Sequence, residues 1–104
     1  MAEQNDPVLS AAVERWWQVN REPLAARGVV TSLLGPRDEP GMDPVYILQL
    51  ASERAEAEVS LFRGGLVLRS RFDKRTATEI VSDSIEAVTE DDVTAALAHL
   101  AERV

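Results

Sequence analysis

The chain has no cysteine, a single histidine (His99) and a single lysine (Lys74). The missing thiols exclude disulfides, thiolate metal sites and a cysteine nucleophile. One histidine cannot by itself assemble a zinc site, and any Ser-His-Asp arrangement would have to use it. His99 falls outside the apolar stripe of the last helical pattern, so a solvated or half-buried place is expected for it. No apolar run approaches the roughly 18 residues of a membrane span, and no basic-then-apolar leader opens the chain. The expected compartment is therefore the cytoplasm, with no membrane contact. Aromatic residues make up only 5 %.

What is present is acid. Eighteen Asp and Glu oppose 11 Lys and Arg, for a net charge of −7. Such a chain repels nucleic-acid phosphate, so direct DNA or RNA binding is not expected. Solubility alone would account for the charge; if it has a partner, that partner is basic. At 104 residues the chain suits one domain, and a domain of this size buries about two-thirds of its unfolded surface. Residues 1–104 are read as a single α+β domain, with residues 1–6 frayed.

The strongest local signal runs from Ala55 to Phe72. Ala57, Val59 and Leu61 alternate with Glu56, Glu58 and Ser60, and a second alternating run follows Gly64-Gly65. Period two on both sides of a Gly-Gly pair predicts a β-hairpin. A two-residue loop sets Leu61 opposite Leu68, Ser60 opposite Arg69 and Glu58 opposite Arg71; a four-residue loop keeps those faces. A three-residue loop would put Leu61 opposite Val67 and mix the faces, and is rejected on that ground. The outer face would then carry Phe62, Val67, Arg69 and Arg71.

Asp6-Pro7 predicts a helix start. Leu9, Ala12, Val13, Trp16, Trp17, Asn20 and Leu24 share one broad helical face. Pro23 should kink this helix or begin a second short one, and Gly28 should close it. Val29–Leu34 reads as a short strand and residues 35–43 as a loop. Val45–Leu50, apolar on both sides, reads as a central strand covered on both faces or one whose outer face meets a partner. After a turn at residues 73–76, Thr78–Val81 reads as a further strand, with Ser82-Asp83-Ser84 its end or a bulge. Thr89 is an N-cap with Asp92 three residues on, a variant capping box. Val93, Ala96, Leu97, Leu100, Ala101 and Val104 form the buried stripe of the last helix. The expected fold is a helix, an antiparallel meander of four to five strands and a second helix, both helices on one face of the sheet.

No catalytic residues, metal ligands or cofactor sites stand out. Gly64-Gly65 has no helix N-terminus after it and is a turn, not a phosphate loop. Glu56 and Glu58 read as a solvated face rather than an acid/base pair. Binding is better served. Phe62, Val67, Arg69 and Arg71 have hot-spot chemistry, although an ordinary sheet exterior would look similar. No Lys or Arg occurs from Thr76 to Ala101. Helix capping accounts for Glu90, Asp91 and Asp92 there, but not for Glu79, Asp83 and Glu86. Those three are the candidate acidic patch for steering a basic partner.

The order of parts resembles the TriTu-type immunity proteins of bacterial polymorphic toxin systems. The resemblance spans roughly Val8 to Leu100. Its carriers are the tryptophan helix running into Ala25-Ala26-Arg27-Gly28-Val29, the stretch Leu48–Arg54, the strand Ala57–Phe62 with its glycine turn, and Val88–Val93 before the last helix. Two places differ from the pattern: Phe62 stands where a tryptophan is usual, and Ile80–Ser84 where an acidic or histidine-bearing segment is. The resemblance implies a non-enzymatic inhibitor of a cognate toxin domain. The acidity suits a basic toxin such as a nuclease. The competing expectation is a small acidic secretion-chaperone-like or adaptor protein acting as a homodimer, marked by exposed apolar surface on Val45–Leu50 or the first helix.

Overall fold

The computed structural model describes residues 7–37, 45–76 and 80–104. Helix α1 spans Pro7–Ala26. Five strands follow: β1 (Val30–Leu34), β2 (Tyr46–Ala51), β3 (Ala55–Leu61), β4 (Leu66–Asp73) and β5 (Ile80–Glu86). Helix α2, Glu90–Ala101, closes the chain. The strands form one sheet in the order β1-β2-β3-β4-β5, every neighbouring pair antiparallel. This is the expected α+β meander, at the five-stranded end of the range.

Both helices lie on the same face of the sheet. Leu9, Ala12, Val13, Trp16 and Leu24 of α1 meet Val93, Ala96, Leu97 and Leu100 of α2 over Leu48, Leu50 and Val59 in one apolar cluster. Among the described residues no polar or charged side chain is fully buried. Polar pins tie α1 to the sheet from the margin of this cluster. Trp17 Nε1 donates to Thr31 Oγ1 at 2.9 Å, and the Tyr46 hydroxyl donates to Glu14 Oε1 at 3.3 Å. Burial, then the neighbouring Glu14 carboxylate, pushes the Tyr46 phenol upward.

Helix α1 runs through Pro23 as one element, so the second short helix offered as one alternative does not form. The bond that proline cannot make would have gone to the carbonyl of Val19. Val19 and Pro23 are both exposed, so that carbonyl faces water and its loss is cheap. Gly28 ends the helix as expected, at φ 88°. Val29 N donates to Leu24 O and Gly28 N to Ala25 O, the Schellman pattern, with Val29 and Leu24 both buried beside it. At the other helix the capping box is complete. Asp92 N donates to Thr89 Oγ1 at 3.2 Å, and Thr89 N donates back to Asp92 Oδ2 at 3.0 Å. The amides of Val88 and Thr89 hold the Asp92 carboxyl below its usual range.

The β3–β4 hairpin forms where expected but in the register that the alternating pattern argues against. Phe62 N donates to Leu66 O and Gly65 N to Phe62 O, so the loop is Arg63-Gly64-Gly65. Leu61 pairs with Val67, Val59 with Arg69 and Ala57 with Arg71. A shift of one residue turns a whole strand over. Val67, Arg69 and Arg71 therefore face the helices, and Leu66, Leu68, Ser70 and Phe72 face outward. Gly65 locks this choice. Its φ is 97°, its carbonyl accepts from Ala87 N, and a Cβ there would stand 2.3 Å from the Ala87 carbonyl oxygen.

The last strand also differs from expectation. β5 passes straight through Ser82-Asp83-Ser84 and does not end or bulge there. The part of the expected strand before Ile80 lies outside the described residues.

Candidate functional site

The outward rows of the sheet follow from the pairing. Val30, Ala51, Glu56 and Phe72 lie across the strands in one row; Ser32, Gln49, Glu58, Ser70 and Ser82 form the next; Leu34, Ile47, Ser60, Leu68 and Ser84 form the third. The middle row is entirely polar. The rows beside it carry most of the aliphatic surface, with Val30 71 %, Leu34 57 % and Leu68 40 % exposed. Neither helix reaches this side. Its strand positions hold Glu56, Glu58 and Glu86 and not one Lys or Arg.

Hydrogen bonds in the middle row run in one direction. Ser32 Oγ donates to Gln49 Oε1 at 3.3 Å, and Gln49 Nε2 donates to Glu58 Oε1 at 3.2 Å. Glu58 thus receives a single neutral donor. Two shallow depressions meet at Glu58 and Ser70, one towards Ala51 and Phe72, the other towards Leu68 and Ser84. Lys74 reaches Glu56 from the adjoining turn, at 3.5 Å, and leaves Glu58 alone.

The residues predicted for binding do not assemble into one surface. Phe62 is half-buried at the hairpin end of β3. Val67 is 1 % exposed and belongs to the core. Arg69 lies on the helix face, its side chain 11 % exposed. Its Nε donates to Asp83 Oδ1 at 2.9 Å, its Nη2 to Asp83 Oδ2 at 2.6 Å and its Nη1 to the Ala96 carbonyl at 3.0 Å. Arg71 donates through Nε to the Arg103 carbonyl at 2.8 Å. These two guanidiniums close the margin of the helix layer, with their aliphatic stems covering apolar surface. The expected pairing of Glu58 with Arg69 or Arg71 is absent because β4 is turned over: Glu58 stands opposite Ser70.

The acidic patch is likewise divided. Glu79 lies outside the described residues. Asp83 and Glu86 point to opposite faces of β5, since Asp83 pairs with Arg69 and Glu86 with Leu66. The Arg69 fork holds the Asp83 carboxyl below its usual range, with a smaller contribution from His99, and Asp83 in turn raises the Arg69 pKa. An inward-turned charge of this kind on an edge strand discourages strand-on-strand aggregation.

The polar row was missed because its members come from five strands. Each is an ordinary Ser, Gln or Glu with no motif around it in the sequence, and only the register aligns them. The arrangement offers carboxylate, amide and hydroxyl groups between aliphatic flanks, which is binding chemistry. Among the described residues no group of three His, Cys, Asp or Glu is placed to hold a metal ion, and no helix is long and apolar enough to cross a membrane. Compared with protein-family models, curated proteins and solved structures, the chain matches none.

Proposed function

We propose that this chain is a non-enzymatic immunity protein that binds and neutralises a cognate, basic toxin domain. One observation carries the reading: the described residues leave a whole face of the sheet uncovered, with aliphatic side chains and three glutamates on it and no cation among its strand positions. With a net charge of −7, such a face attracts a basic surface at long range and offers it apolar contact at short range. The resemblance to TriTu-type immunity proteins points the same way, and a nuclease, whose own substrate is polyanionic, is the fitting class of toxin.

A homodimeric adaptor would need an apolar stripe on residues 45–50 or on α1. Ile47 there is half-buried and Gln49 is exposed and polar; on α1, Val19 is the exposed large aliphatic among the described residues. The toxin-binding reading is preferred on those grounds. Its test is growth rescue. If a secreted polypeptide is encoded beside this chain, its C-terminal domain is expressed in a sensitive bacterium, and co-expression of this chain is expected to restore growth. Killing that continues at equal expression would overturn the reading. Light scattering separates the two classes, a monomer being expected and a tight homodimer favouring the adaptor.

A further inference from the structure

We infer that Glu58 is the anchor of this face, receiving an arginine of the partner protein whose aliphatic neighbours settle in the two depressions on either side. The inference rests on the protein-binding reading above and names its contact point.

Position comes first. β3 is the central strand of the five, and Glu58 is the middle member of the polar row. The face is roughly 19 Å wide at about 4.8 Å per strand, so Glu58 lies about 10 Å from either edge strand. The flanking aliphatic rows are about 13 Å apart, the length of four residues along a strand. A single segment of chain fits between them with its apolar side chains reaching both.

The hydrogen-bond pattern gives the charge. Donors run from Ser32 through Gln49 and end on Glu58. Among the described residues no cation answers the carboxylate. On its other side the row continues with Ser70 and Ser82, whose short side chains leave space for a planar group. A guanidinium can bind the carboxylate with two N–H groups and direct others to the neighbouring hydroxyls and the Gln49 carbonyl. Lysine would offer a point charge without that fork. Partly excluded from water by aliphatic side chains on both flanks, the pair would be stronger than a freely solvated one.

Charge also excludes the simplest rival occupant. A second copy of this chain laid face to face would add its own Glu56, Glu58 and Glu86 to the same interface, with no basic strand residue on either side to relieve them.

The test needs no toxin. The ¹⁵N-labelled protein is titrated with a capped peptide carrying one arginine between leucines, and with the same peptide carrying neutral citrulline in its place. Shifts are expected at Gln49, Glu58 and Ser70, with affinity reduced about tenfold for the citrulline peptide and for Glu58→Gln. Glu22→Gln, on the exposed side of α1, is expected to bind as the parent does, and the melting temperature of Glu58→Gln should be unchanged. The anchor is overturned by shifts spread equally over helices and sheet, by Glu58→Gln binding like the parent, by no shifts at all, or by shifts that track protein concentration as self-association would. Growth rescue tests the neutralisation reading independently, so the two can fail separately.

Discussion

The two faces of the sheet are built from the same five strands and put to opposite uses. On the helix side Leu48, Leu50, Val59 and Val67 are almost wholly removed from water. The charged groups there, Arg69 and Arg71, are tied to Asp83 and to helix-side carbonyls. On the other side the glutamates have few partners and the aliphatic residues are left in water. The difference teaches where charge is structural and where it is available. An arginine at the margin of the helix layer is committed to the fold, whereas a glutamate on the bare face is free to meet something else.

The sharpest way to break this contrast is to turn β4 back over. Gly65→Ala places a Cβ against the Ala87 carbonyl at a positive φ. It is expected to cost about 3 kcal/mol or more in chemical denaturation, and a loss below about 1 kcal/mol would show that the hairpin tolerates another loop. Arg69→Met comes next. It removes three hydrogen bonds from a side chain that is 11 % exposed and should cost about 2 kcal/mol. Asp83→Ala should cost less than about 1 kcal/mol, because that carboxylate is 54 % exposed and solvent screens the pair. Equal losses for the two variants would mean that the ion pair, not the Ala96 contact and the arginine stem, holds the margin.

Acid should weaken the helix side of the sheet and the cap of α2. The carboxyls of Asp83 and Asp92 are both held below their ordinary value of 3.8. Their contribution is therefore complete above about pH 5 and declines as the pH falls through about 4 and below, where the folded state must take up protons. Asp83→Asn together with Asp92→Asn should flatten the acid limb of a stability–pH curve.

The smallest expected effects on stability lie on the uncovered face. Ser32→Ala, Glu58→Gln and Leu68→Ser should each shift unfolding by less than about 0.5 kcal/mol. Glu58→Gln should nonetheless impair toxin neutralisation. A large loss of stability from any of the three would mean that this face supports the fold and is not held in reserve for a partner.

Local structure was legible where local chemistry decides it. Thr89 and Asp92 mark a helix start because their side chains meet backbone amides within one turn. Gly28 marks a helix end because it adopts a positive φ without strain. Alternation predicts the hairpin strands, apolar runs predict the two strands before them, and two sets of apolar residues at helical spacing predict the helices that roof them. The side chosen by β4 could not be read this way. Its row Leu66-Leu68-Ser70-Phe72 is mostly apolar and its row Val67-Arg69-Arg71 mostly charged, so hydrophobic pattern alone points to the wrong face for the core. The tertiary structure decides between them. Only the assembled fold brings the Ala87 backbone against Gly65, Asp83 within reach of Arg69, and the Ala96 and Arg103 carbonyls over the sheet. Those contacts join residues 14 to 32 positions apart along the chain, and the same inversion of β4 sets Ser70 beside Glu58 on the open face.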